Sequence, residues 1–142
     1  MAKVADLLAH KGRDVWHIGP DEPVLAAIQQ MADRNVGALC VVKGTELVGV
    51  ISERDYARKV VLKGRHSAET MVWEIMSSPV ISVSPEDSLT TCQMLMTERK
   101  FRHLPVLLQG ELIGMLSIGD LVRHIIESQQ QEIDHMRRYI AS

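Results

Sequence analysis

The sequence predicts a mixed α/β (α+β) fold: two β-α-β-β-α repeats packed about a pseudo-twofold axis, with an extended C-terminal helix. Three observations predict it. Sliding the 142-residue chain against itself by 65 positions aligns Pro20 with Pro85 and keeps the register, without a gap, to Arg58 and Arg123. Each copy carries one apolar run at helical spacing and two β-rich runs separated by a turn. An apolar stripe at helical spacing then outlasts the second copy. Eleven of thirty-nine aligned columns are identical, among them Leu39/Leu104, Gly49/Gly114, Ser52/Ser117, Asp55/Asp120 and Arg58/Arg123.

The elements follow in chain order. A short strand is expected at Trp16 to Ile18. Pro23 opens a helix whose apolar residues Val24, Ala27, Ile28, Met31 and Ala32 recur at helical spacing and stop near Asn35. Leu39 to Val42 and Leu47 to Ile51 bracket Lys43-Gly44-Thr45-Glu46, which has the length and the glycine of a hairpin turn. Ser52 is placed to cap a second helix running through Tyr56 and Val60. The polar stretch Lys63 to Met71 reads as the connection between copies. The second copy repeats the plan, with a short strand at Val80 to Val83, a helix from Ser88 to Arg99, strands at Leu104 to Leu108 and Leu112 to Leu116, and a helix starting at Ser117. That last helix carries Leu121, Val122, Ile125, Ile126, Ile133, Met136 and Ile140 as a stripe flanked by Gln129 to Gln131, a pattern that points to self-association. The expected division is 1–65 for the first repeat with its N-terminal segment and 66–142 for the second with its C-terminal helix. The two repeats are expected to share one core. Trp16 and Trp73 are expected to pack in the core or at an interface.

Composition narrows the function. Lys+Arg 16 against Asp+Glu 18 excludes a nucleic-acid binder driven by bulk positive charge, so an anionic partner has to be held by a local cluster. No apolar run approaches the ~20 residues that span a bilayer, and Met1 to Lys11 lacks the hydrophobic stretch of a signal peptide. No membrane association is expected, and the expected compartment is the cytoplasm. Cys40 and Cys92 lie inside apolar patterns and read as buried free thiols. The six histidines show no zinc spacing, and neither a GxSxG nor a Walker sequence occurs, so no metal site and no catalytic residue is expected.

The repeated polar residues admit two readings. In Gly49-Val50-Ile51-Ser52-Glu53-Arg54-Asp55 and Gly114-Met115-Leu116-Ser117-Ile118-Gly119-Asp120, a serine followed three residues later by an acid caps a helix. The same junction also presents N–H groups and a hydroxyl to an anion, while the aspartate accepts hydrogen bonds from a ribose-like diol. Both roles can coexist. Arg102 and His103, directly before a buried strand, are suited to clamp a phosphate, whereas the first copy has Gly37 and Ala38 at that register. Arg54, Arg58, Lys59, Lys63 and Arg65 form a second basic run, in which Arg58 is also spaced for an ordinary ion pair with Asp55.

Two copies of Gly-apolar-apolar-Ser-x-x-Asp, with Arg-His-Leu-Pro-Val before the strand of the second, resemble a tandem cystathionine β-synthase (CBS) domain pair, or Bateman module. The resemblance covers nearly the whole chain. Ser52 to Val60, Lys63 to Arg65 and Glu74 to Met76 are similar to stand-alone pairs of bacteria and plant organelles. What the resemblance implies is a non-enzymatic sensor, without catalytic cofactor, that binds AMP, ADP, ATP, S-adenosylmethionine or NAD in two clefts between the repeats and modulates an unidentified regulated protein. It places Asp55 on the ribose with Ser52 beside it, Arg54 and Arg58 nearby, Val80 and Ile81 against adenine, and Arg102 and His103 on phosphate. The reciprocal cleft would use Ser117, Asp120, Ile18, Gly37 and Ala38, and is expected to be weaker because it lacks the basic pair. The alternative is a constitutive dimeric scaffold, or a regulator of a redox partner, with vestigial clefts. An enzyme acting on a nucleotide would need a nucleophile or metal beside Glu53, Asp55 or Asp120, and the sequence offers neither.

Overall fold

A computed structural model describes residues 2–12 and 14–141 of the chain. The order is α1 (Val4–Lys11), β1 (His17–Ile18), α2 (Val24–Arg34), β2 (Ala38–Lys43), β3 (Glu46–Ser52), α3 (Glu53–Tyr56) running into a π-helical turn (Ala57–Val61), α4 (Val72–Ile75), α5 (Leu89–Arg99), β4 (His103–Leu108), β5 (Glu111–Ser117) and α6 (Ile118–Ala141). The mixed α/β repeat and the long last helix agree with the sequence expectation. Strand β1 lies parallel to β2, and β2 pairs antiparallel with β3 in the register Leu39 to Ile51. The copy is faithful: β4 and β5 pair with Leu104 opposite Leu116, the same register 65 residues on, and both hairpins shift register just after the equivalent valines Val41 and Val106. Gly44 supplies a positive φ of 65° in the first hairpin turn, where a β-carbon would be strained.

Helices α2 and α5 stop where the backbone turns left-handed. Asn35 (φ 55°) and Lys100 (φ 59°) are the residues just past their ends, and Asn35 returns its N–H to Ala32 and Met31. Ser88 caps α5 by accepting from the Thr91 N–H, and Ser52 caps α3 in the same way through Asp55.

Four expectations need correction. The strand expected at Val80 to Val83 shrinks to a single parallel bridge from Val83 to Val106. Pro79 has no N–H to give a ladder, and Val80 and Ile81 line a cavity instead of pairing. The helix expected through Val60 leaves α geometry after Tyr56, where Leu62 N–H reaches back five residues to Ala57 carbonyl. Trp73, expected in the core or at an interface, sits on α4, 55% exposed and so outside the core, while Trp16 is partly buried beneath the Arg34 guanidinium, 3.9 Å from the ring centre.

The fourth correction concerns the core. Buried residues form two clusters, not one. Ile18, Val24, Met31, Leu39, Val41, Ile51 and Val60 of the first repeat are joined by Val72 and Ile75 of α4. Leu89, Cys92, Met96, Leu104, Val106, Leu116 and Leu121 of the second are joined by Val4, Leu7 and Leu8 of α1. At the 65-residue offset Leu7 corresponds to Val72, so the short helix that leads each repeat completes the core of the other one. Neither α1 nor α4 was anticipated, because eight and four residues are too short to show a helical period.

The exchange explains the repeated glycine of β3 and β5. A β-carbon on Gly49 would lie 2.6 Å from Met76 Sδ and 3.2 Å from Ser77 carbonyl oxygen, and one on Gly114 would lie 2.9 Å from Leu8 Cδ2. Each glycine thus admits the crossing segment from the opposite repeat. The sheets themselves meet where the Cys40 thiol lies 3.7 Å from Met115 Sδ.

Candidate functional site

Between the repeats opens a cavity of about 450 Å³, within the ordinary range for small-molecule sites. One wall is the β3–α3 junction, where Ser52 caps the helix and turns Asp55 back onto it. Ser52 N–H and hydroxyl both donate to Asp55 Oδ2 at 3.0 Å. On Oδ1, Ser77 hydroxyl donates at 3.4 Å and Lys59 Nζ lies at 3.2 Å. Lys59 also donates to Ile75 carbonyl at 2.9 Å, which ties the π-helical turn to α4. Arg54 and Arg58 extend this wall, Arg58 from the π-helical turn.

The opposite wall comes from the second repeat. Val80 and Ile81 contribute apolar surface, and Arg99, Lys100, Phe101, Arg102 and His103 form the run from the end of α5 to the start of β4. The segment is held by the Ile118 N–H donating to Arg102 carbonyl at 2.9 Å, and the equivalent bond in the first repeat, Glu53 N–H to Gly37 carbonyl, measures 3.0 Å. Gly37 lets this place stay open: a β-carbon there would come within 3.2 Å of Glu53 Oε1 and 3.9 Å of the His103 ring. Six basic side chains line the cavity against the carboxylates of Glu53 and Asp55, a balance that attracts an anion despite the chain's net charge of −2.

His103 adds not a seventh fixed charge but a neutral ring. Burial, reinforced by Lys11 and Arg102, pushes its pKa below the ordinary 6.5, while Asp120 and Asp55 pull the other way without overcoming it. At neutral pH it offers one hydrogen-bond donor and one acceptor. Fixed positive charge on this wall therefore comes from Arg99, Lys100 and Arg102.

Of the residues expected at a site, Ser52, Arg54, Asp55, Arg58, Val80, Ile81, Arg102 and His103 line this one cavity. Gly37 lines it too, although the sequence assigned it to the reciprocal cleft. The other four are placed elsewhere. Ile18 and Ala38 are buried, 4% and 3% exposed. Ser117 caps Asp120 as Ser52 caps Asp55, but Lys11 Nζ lies 2.6 Å from Asp120 Oδ2 and Arg123 2.7 Å from Oδ1. Lys11 donates to Met115 carbonyl as well. Burial alone would push the Asp120 carboxyl up, yet the bonds from Lys11 and Ser117 bring it below its ordinary value, so it is a stable carboxylate with both oxygens engaged by its own chain.

At the 65-residue offset, the position of Lys11 belongs to Met76, which makes no such bond to Asp55. Lys59, Ser77, Pro79, Glu53, Val50 and the Arg99–Phe101 turn complete the cavity lining and were not assigned to a site from sequence. The Arg99–Phe101 turn carried a signal, since it is the basic departure of the second repeat from the first. Ser77 and Pro79 carried none, because only the crossing of α4 beside β3 brings them there. Among the described residues, no group of three or more His, Cys, Asp or Glu side chains is placed to hold a metal, and no helix is long and apolar enough to cross a membrane. Cys40 and Cys92 are free and buried, their thiols pushed up to about 12 and about 11 by burial.

Known proteins agree with this architecture. The family model described as CBS domain matches twice, at residues 4–62 and 72–127. The chain is 38% identical over 147 residues to the mitochondrial CBS domain-containing protein CBSX3 of Arabidopsis thaliana, covering 96% of this chain and 71% of that one. A signal-transduction protein with CBS domains from Burkholderia ambifaria superposes with a TM-score of 0.86 at 46% identity, covering 90% of this chain and 96% of that chain. At 19% identity, and so for the fold alone, the CBS domain pair of MJ0100, solved with 5-methylthioadenosine and S-adenosyl-L-methionine, superposes at 0.80 over 90% of this chain and 98% of that one. Twofold internal repetition, reciprocal helix exchange and these matches lead to one assignment: the chain belongs to the CBS-domain family, as a tandem pair.

Proposed function

We propose that the chain is a non-enzymatic regulatory module that binds an adenosine nucleotide, AMP, ADP, ATP or NAD, in the cavity between its repeats and modulates a partner protein, as a homodimer in the cytoplasm. The observation that carries this is the composition of the one cavity around Asp55. An acid at a helix start, apolar Val80 and Ile81, and a basic turn ending at Arg102 are drawn from both repeats into about 450 Å³. A diol, a purine face and a phosphate are the three chemistries that such a lining complements. Asp55 reaches a diol by releasing the Ser77 hydroxyl, whose 3.4 Å bond is the longest on that carboxylate. MJ0100, of the same fold, holds ligands built on adenosine.

Because the walls belong to different repeats, a ligand that bridges them favours one relative packing over another, and that difference in affinity is the free energy available to a partner. The second Asp has a cation on each oxygen, Lys11 and Arg123, whereas Asp55 has Lys59 on Oδ1 alone, so the reading is one nucleotide per chain.

Calorimetry with AMP, ADP, ATP and NAD tests it. Asp55→Ala and Arg102→Ala should each weaken the tightest ligand by about tenfold to a hundredfold, the worth of one or two charge-assisted hydrogen bonds. Unchanged affinity in Asp55→Ala would refute the ribose assignment. Absence of heat with all four ligands would favour the scaffold with vestigial clefts.

A further inference from the structure

We infer that the outer face of α6 is a parallel two-stranded coiled-coil seam for a second copy of this chain. Helix α6 has two apolar faces. Leu121, buried in the second core, fixes its first half to the body beside α1 and α5. Val122, Ile126, Ile133, Met136 and Ile140 form the other face and are between 44% and 80% exposed. Together with Gln129 their spacing is four, three, four, three, four residues, the alternation of a heptad seam, with Ile126, Ile133 and Ile140 at a and Val122, Gln129 and Met136 at d. The family match ends at residue 127, yet the helix runs on to Ala141, about four more turns.

The pattern itself names the occupant. A heptad seam is complementary to another heptad seam, and β-branched residues at a with the unbranched Gln129 and Met136 at two of the three d positions lie nearer the two-stranded pattern than β-branched residues at both would. Gln129 forms one polar layer, which costs stability but penalises any shift of register. Flanking charges choose the direction. Glu132 falls at g and Arg137 at e, five residues on, so in a parallel pair each Glu132 faces the Arg137 of the other copy. An antiparallel pair sets g against g and e against e and forfeits this attraction. The seam is short, but the anchored first half of α6 supplies the helix nucleus before association, which removes the usual penalty on a short strand.

This deepens the homodimer part of the reading above and does not depend on the nucleotide. Sedimentation velocity of the full chain should show a dimer, and Ile133→Asp should weaken it by about tenfold or more. Ile133 is exposed, so the variant should keep the circular dichroism and the ATP heat of the parent; absence of ATP heat in parent and variant alike would count against the nucleotide reading and leave the seam standing. Glu132→Arg should weaken the dimer, and Glu132→Arg with Arg137→Glu should restore it. The native thiols are buried, so Ile140→Cys should cross-link to itself on mild oxidation. A monomeric parent, an Ile133→Asp dimer as tight as the parent, or cross-linking only when Ile126→Cys and Ile140→Cys are combined, as antiparallel strands require, would each overturn the inference.

Discussion

At the scale of single residues, two aspartates with the same cap geometry differ in the cations they meet: Asp55 has Lys59 on one oxygen, whereas Asp120 has Lys11 on one and Arg123 on the other. Asp55 and Asp120 both face the N–H of a serine three residues earlier, yet only Asp120 receives Lys11. Lys11→Met, which gives the first position the residue that Met76 supplies at the second, should free Asp120 Oδ2 of its cation and leave only the Ser117 N–H on it. It should lower stability by about 1 kcal/mol, a modest figure because the lysine is one-third exposed and Arg123 remains; urea melts measure it. Calorimetry of the same variant should then show a second, weaker nucleotide equivalent, and a stoichiometry fixed at one would show that Lys11 does not guard that cleft. His103 gives a pH prediction. Its folded pKa is depressed below 6.5, so the folded state binds fewer protons than the unfolded one, and stability present above pH 6.5 should fall as pH drops through that value. A bound phosphate beside the ring opposes this depression. Nucleotide binding at pH 6 should therefore take up protons, visible as a dependence of heat on buffer ionisation enthalpy that His103→Asn removes.

At the scale of elements, what the sequence shows depends on whether a segment's partner is near in the chain. The hairpins, α2 and α5 were legible because their apolar period and their turns are local, and so was the basic turn at Arg99 to His103 because its counterpart sits 65 residues earlier for comparison. The Val80–Ile81 segment was misjudged as a strand because its composition is β-rich while its environment is a cavity wall. Helices α1 and α4 were invisible, being short and stabilised by contacts across the repeats, and with them went the role of Lys11 and Ser77. The repeated glycines were legible as a motif but not as a cause. Their cause is testable: Gly49→Ala forces a β-carbon against Met76 and the Ser77 carbonyl, and should cost about 1–3 kcal/mol by overpacking. Moving Ser77 also disturbs Asp55, so the same variant should bind nucleotide more weakly, whereas Gly114→Ala, whose nearest neighbour is the Leu8 side chain, should lose stability without that effect. Equal binding by both variants would break the link between α4 and the site.

At the scale of the whole molecule, two separate clusters of buried residues would ordinarily imply two cooperative units. The exchange of α1 and α4 argues otherwise. Unfolding the second repeat strips Leu7 and Leu8 of their partners, and unfolding the first strips Val72 and Ile75, so neither repeat can open while leaving the other with a complete core. The cavity obeys the same logic, since its walls are one from each repeat and a nucleotide held between them is lost when either opens. Calorimetric melting should thus show a single transition. Leu7→Ala, in α1, should cost about 2–5 kcal/mol, the range for a leucine truncated in a core, and Val72→Ala somewhat less. Both should lower the same midpoint, although they sit in different clusters and 65 residues apart, and saturating nucleotide should raise it in both through mass action. Two resolved transitions, with Leu7→Ala moving one and Val72→Ala the other, would mean that each repeat holds its fold without the helix borrowed from its neighbour, and the bridging of the repeats by a ligand would then have no cooperative unit to act on.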